Sequence, residues 1–255
     1  TDSDCLHFCI DLLNFYVESK SEDEEGVVEA FLAPMTRTTH HICPKSVADW
    51  LRYTNTGCSV KRVPSFLQSV AHTAFFTSPE TVAAAEGREH SKSDGQCFVV
   101  LRSHSFDSRL DESFLMPEVP SVKHVQTSYM KDFGAKYGIV MNGVKWRLTR
   151  TRDTIDFNAA DWFEVSFKPL FDLWDDFYSK RKVKKNAKDI QNEISDFVNN
   201  LKTPSIRQLR WFLAVFNANS LCKSNGFANQ LYRIRQASAT VFDEYNYENN
   251  IKNAI

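Results

Sequence analysis

The sequence has no Cys-x-x-Cys pair, no Gly-rich phosphate loop, no Gly-x-Ser-x-Gly elbow and no His-Glu-x-x-His helix. Those absences remove the usual sequence signs of a zinc module, a P-loop nucleotide site, an α/β-hydrolase and a zinc protease. No apolar run approaches the roughly 20 residues that a membrane-crossing helix needs. There is no internal repeat and no low-complexity tract. Charge of one sign is not in excess either. The formal net charge is −1, which excludes a globally basic nucleic-acid binder but permits a local basic face. Cys5, Cys9, Cys43, Cys58, Cys97 and Cys222 fall at no zinc-site spacing, so they read as reduced thiols of a cytoplasmic protein. Cys5 and Cys9, one helical turn apart, read as a packing face. His40 and His41 are adjacent and cannot easily share a helical face, so they read as loop or capping residues.

What is present is ordinary globular material. The 255 residues, 42% hydrophobic, suffice for one sizeable α/β core with a helical appendage, or for two small domains. Aromatic residues make up 13%, mostly Phe, which predicts a phenylalanine-rich core. The apolar stretch from Leu6 to Val17 follows Asp2 and Asp4 rather than Lys or Arg and contains Asp11, so it reads as a helix and not as a signal peptide.

Periodicity then divides the chain into thirds. Leu6, Cys9, Ile10 and Leu13 recur at helical spacing; Val27, Val28, Phe31 and Leu32 form a second face. Ser46 caps a short segment with Val47, Trp50 and Leu51, and Pro64 opens an expected helix through Phe66, Leu67, Val70 and Phe75. The middle third changes period. Phe98–Leu101 is a continuous apolar run, as in a strand covered on both faces. Tyr137–Met141, Val144–Thr149 and Phe163–Phe167 are further strands. Asn142-Gly143 between the first two of these reads as a two-residue hairpin loop, since Asn-Gly readily adopts positive φ. The last third returns to helix, with Ile190, Ile194, Phe197, Val198 and Leu201 on one stripe. Thr203-Pro204 restarts a helix through Ile206, Leu209, Leu213 and Phe216, and a final one runs from Phe227 through Leu231 and Ile234 to Val241.

Charge is unevenly spread. Glu22, Asp23, Glu24, Glu25 and Glu29 form an acidic run, and Lys180, Arg181, Lys182, Lys184, Lys185 and Lys188 a basic one. The basic run is either solvated surface or a phosphate-contacting linker. Alternation along a strand places Lys145, Arg147 and Thr149 on one face. That row is either a positive binding surface or a sheet edge protected by charge.

The stretch Gln126 to Leu148 resembles the helix and hairpin that close the nuclease-type core of type IIG and type I restriction proteins. Gln126, Tyr129, Gly138, Asn142, Gly143, Trp146, Arg147 and Leu148 match that family's pattern. Trp162-Phe163-Glu164-Val165 and Leu170-Phe171 are similar to the strand that follows it. Trp211 to Phe216 and Phe227 to Tyr245 resemble the family's helical connector towards a methyltransferase. The likeness covers roughly residues 95–245, and the hairpin is its sharp part.

The resemblance implies metal-dependent phosphodiester hydrolysis. In the family an Asp follows a Pro at the start of one strand, and a Glu-x-Lys ends the next; the carboxylates hold Mg²⁺, which activates water. This sequence departs from that pattern. In Val100-Leu101-Arg102-Ser103-His104, Arg102 stands where the Glu is needed and His104 where the Lys is needed. Pro79-Glu80 is a loose match to the Pro-Asp element. A guanidinium in place of a carboxylate removes a metal ligand and adds positive charge, so divalent metal binding there is expected to be severely weakened.

The expectation is therefore an α/β protein: a small mixed sheet flanked by helices, restriction-endonuclease-like, with a helical C-terminal extension. Residues 1–170 would form the nuclease-like domain and residues 171–255 the extension. The expected function is a degenerate restriction-nuclease-like module, cytoplasmic and without a membrane partner. It would bind duplex DNA, or position a methyltransferase or other defence subunit on it. Arg102, His104, Gln126, Lys145, Arg147, Lys182, Lys184 and Lys185 are the expected DNA contacts, with no metal and no cofactor. One alternative is an active Mg²⁺-dependent endonuclease whose ligands have moved to Glu80, Asp107 or Asp111. The other is a protein–protein scaffold that has lost nucleic acid.

Overall fold

Among the described residues six strands pair in sequence order into one mixed sheet. They are β1 (Gly57–Ser59), β2 (His72–Phe76), β3 (Cys97–Ser103), β4 (Tyr137–Met141), β5 (Lys145–Arg150) and β6 (Asp161–Ser166). The computed structural model describes residues 2–20, 22–32, 45–53, 57–59, 72–76, 97–106, 108, 110, 130, 134–150, 161–181, 187–201 and 203–234. Before the sheet come α1 (Asp2–Ser19), α2 (Glu24–Leu32) and α3 (Val47–Trp50). After it come α4 (Lys168–Ser179), α5 (Ala187–Asn199), α6 (Thr203–Phe216), α7 (Ala218–Cys222) and a last helix, α8, over 227–234. The chain is thus α/β, a mixed sheet flanked by helices with further helices at its C-terminal end.

All neighbouring strands run antiparallel except β3 and β4, which are parallel. A parallel pair needs a long crossover, and residues 104–136 supply it. Every residue of β3 and of β4 is buried, which agrees with the continuous apolar run at Phe98–Leu101. β5 alternates between buried and partly exposed positions, as a strand with one wetter face does.

One expectation for the first third fails. Phe75, placed on a helix opened by Pro64, lies in β2 and pairs with Val99 of β3. A short apolar run carries no period long enough to separate helix from strand, and here pairing with β3 decides. Residues 60–71 lie outside the described residues.

The hairpin between β4 and β5 is present, but its turn is displaced by one residue. Asn142 N–H donates to Lys145 O at 3.3 Å, so Gly143 and Val144 are the central pair. Only Gly143 among the loop residues has positive φ, at 81°. Asn142 instead stands before the turn, where its side-chain oxygen accepts from Val144 N at 3.1 Å and Lys145 N at 2.7 Å. A short amide side chain that satisfies two turn N–H groups is a different use of Asn from the one expected.

The core lies on one face of the sheet. Trp146 is fully buried, with its ring centroid 5.5 Å from Phe31, 6.2 Å from Phe15, 5.1 Å from Phe212 and 6.3 Å from Phe216. Strand, early helices and late helices therefore meet around one indole. The boundary expected near residue 170 falls inside α4, whose Leu170, Phe171 and Trp174 join the same core. Cys5 and Cys9 are buried on α1, as their spacing predicts, and burial pushes the Cys9 thiol up to about 12.

Candidate nucleic-acid interface

The opposite face of the sheet carries Arg102, Lys145, Arg147 and Glu164. Residues alternate between faces along a strand, so Arg102 shares a face with Val100 while Val99 and Leu101 enter the core. Register then sets a row across four strands: Arg102 beside Val140, Val140 beside Arg147, and Arg147 beside Glu164. At the usual strand spacing Arg102 and Arg147 lie about 10 Å apart. Lys145, two residues before Arg147, shares its face as the alternation predicts.

Glu164 ties that row together. Its Oε2 accepts from Arg147 Nη2 at 2.7 Å and Nε at 3.1 Å, and its Oε1 lies 3.7 Å from Lys145 Nζ. Two donors of one guanidinium on one carboxylate oxygen is a strong, charge-assisted arrangement. Glu164 belongs to the Trp162–Val165 stretch of the resemblance and was not among the expected contact residues. The available signal was the pairing of β5 with β6, which puts opposite charges directly across from each other.

The segment after β3 folds back over this face. His104 N–H donates to Met141 O at 2.8 Å, which extends the β3–β4 ladder by one residue. Asn142 Nδ2 donates to Ser108 O at 2.6 Å, Arg147 Nη1 donates to Leu110 O at 3.4 Å, and Leu110 packs on Val140. Arg102 is only 4% exposed and His104 8%. Burial, and then the Arg102 guanidinium beside it, push the His104 imidazole down to about 4. His104 is therefore neutral at pH 7, and the positive charge of the face comes from Arg102, Arg147 and Lys145.

The structure brings together four of the expected contact residues, Arg102, His104, Lys145 and Arg147, at one end of the sheet. Gln126, Lys182, Lys184 and Lys185 lie outside the described residues, as do Glu80, Asp107 and Asp111. Glu80 follows the end of β2 in the chain. A buried guanidinium at Arg102 opposes a divalent cation rather than ligating one. Among the described residues no three His, Cys, Asp or Glu side chains gather into a metal-binding group. The basic run begins with residues already engaged: Lys180 pairs with Asp176 at 2.5 Å, and Arg181 with Glu193 at 2.8 Å and Asp196 at 2.7 Å. The Arg181 pairs join the end of α4 to α5.

Comparison with protein-family models, with curated proteins and with solved structures gives no match for the chain. No helix among the described residues is long and apolar enough to cross a membrane.

Proposed function

We propose that this chain is a degenerate restriction-nuclease-like module that holds duplex DNA, or positions a partner on it, in a bacterial restriction–modification or defence setting. The observation that carries the reading is the row in which Arg102 shares a sheet face with Lys145 and Arg147. In the family that the hairpin resembles, the end of the strand equivalent to β3 carries Glu-x-Lys; here it carries Arg102-x-His104. A guanidinium at that position suits a phosphate oxygen and opposes a divalent cation. Lys145 and Arg147 are the outer members of the row and would meet the backbone directly. Arg102, nearly covered, would act through its field. The partner that the reading implies is a methyltransferase or another defence subunit, and no cofactor is required.

The test is binding to a short DNA duplex, titrated over salt, with and without Mn²⁺. Affinity that falls steeply with salt and does not need metal is the expected result; the slope counts the phosphates contacted, at about 0.9 per contact. Binding that requires Mn²⁺ would instead favour an active nuclease with ligands among Glu80, Asp107 and Asp111. A second reading, a protein–protein scaffold, draws support from Trp211, Phe227 and Ile234, large apolar side chains exposed on α6 and α8. Absence of DNA binding at low salt would leave that reading alone.

A further inference from the structure

We infer that Glu164 is a built-in competitor for phosphate: its carboxylate holds Arg147 and Lys145 as a DNA phosphate would, and DNA must displace it. The inference rests on the DNA-holding reading above and adds how that face is regulated.

The geometry supplies the argument. Arg147 directs Nε and Nη2 to a single Glu164 oxygen, at 3.1 Å and 2.7 Å, which is how a guanidinium edge meets a phosphate oxygen. The second oxygen of Glu164 faces Lys145 at 3.7 Å. One carboxylate thus engages the two most accessible cations of the row. The side chains of Arg147, Glu164 and Lys145 are 15%, 23% and 39% exposed, so the pair sits at the rim of the face, within reach of a ligand, rather than sealed in the core. Among the described residues β6 pairs with β5 alone, at the end of the strand order, so the Glu164 side chain can rotate away without breaking the central sheet. Arg147 also keeps a second acceptor, Leu110 O at 3.4 Å, which fixes the guanidinium while the carboxylate is exchanged. A phosphate carries the same charge and more acceptor oxygens, so exchange leaves the row paired throughout.

Glu164→Gln keeps the shape and removes the charge. It is expected to bind a 20-base-pair duplex about tenfold more tightly than the wild type at moderate salt. The salt dependence should steepen by about one contact's worth. Adding Arg147→Gln to Glu164→Gln should remove the gain. Asp172→Asn makes the same change in net charge and releases Lys168, its partner at 2.8 Å, on a helix that packs into the core. It should leave affinity within about twofold. Equal affinity of wild type and Glu164→Gln, with both binding DNA, overturns the competitor role and leaves the DNA reading standing. An equal gain from Asp172→Asn overturns it too, because net charge alone would then explain the effect. No binding by either protein at low salt overturns the DNA reading and this inference with it. If Glu164→Gln does not fold, the wild type decides by NMR. The Arg147 Nε–H resonance should move as duplex is added, and a resonance that stays put while DNA binds overturns the exchange.

Discussion

Burial acts with opposite signs on His104 and Asp11. The imidazole of His104 is moved from 6.5 down to about 4. The carboxyl of Asp11 is moved from 3.8 up to about 6 by burial, against the pull of Trp50, whose Nε1 donates to its Oδ2 at 2.6 Å. Between pH 6.5 and 4 the unfolded chain holds a proton on His104 that the native protein lacks, so this residue removes stability as pH falls. Between pH 6 and 3.8 the native protein holds a proton on Asp11 that the unfolded chain lacks, so this residue adds stability as pH falls. Each contribution is at most about 3 kcal/mol, and they largely cancel in the wild type. His104→Gln should therefore become more stable from pH 6.5 towards 4.5. Asp11→Asn should be more stable than wild type at pH 7 and lose stability more steeply on acidification. Urea unfolding of the three proteins at pH 7, 6, 5 and 4.5 checks both slopes. Parallel curves for all three would show that neither group is shifted.

At the scale of elements, what was legible in the sequence depended on how much pattern each element carried. β3 was readable because Phe98–Leu101, in a central strand buried throughout, is a continuous apolar run. β5 was readable because its positions alternate between buried and partly exposed. β2 was not, since five residues ending in Phe75-Phe76 suit a helix end equally well, and only the register with β3 decides. The candidate site was half legible for a similar reason. The alternation of Lys145 and Arg147 gave their face, but Arg147's partner Glu164 depends on strand register, which a single strand does not reveal. The burial of Arg102 is set by tertiary packing, which no local pattern encodes. The end of α3 offers a clean test of local control. Arg52 has φ 61°, the left-handed conformation that ends many helices, and Tyr53 N–H donates to Ala48 O at 2.8 Å in the matching closure. Arg52 is exposed and glycine takes this conformation without steric cost, so Arg52→Gly should stabilise the protein by about 1 kcal/mol. Thermal unfolding measures it, and a loss of similar size would mean that the arginine side chain contributes a contact outweighing its backbone cost.

For the whole molecule, the mixed sheet with helices after it was predictable from the order of periodicities, whereas the sharing of one core was not. Period tells which face of α6 is apolar but not what that face meets. In the structure it meets the sheet and the first helix together. Phe212 is fully buried, stacked on Phe8 at 5.7 Å, and edge-on to Trp146 at 5.1 Å and Phe167 at 5.0 Å. Tyr53 donates its hydroxyl to Phe216 O, and Ala218 N–H donates to Leu51 O at 2.9 Å, so the α3 segment is fastened to the same late helices. A boundary at residue 170 would cut through these contacts and leave the aromatic face around Trp146 open to water. Unfolding should accordingly be a single transition in which Trp fluorescence and far-UV circular dichroism coincide. Phe212→Ala should lower the stability of that one transition by about 3–5 kcal/mol, the usual cost of emptying a phenylalanine site. The informative outcome is how the two probes move in this variant. A shared shift means that helices beyond residue 170 are part of the cooperative unit that holds Arg102 and Arg147 in register. Divergence, with the fluorescence transition unmoved while part of the helical signal melts early, would mean that residues 171–255 fold apart from the sheet and that the charged face stands without them.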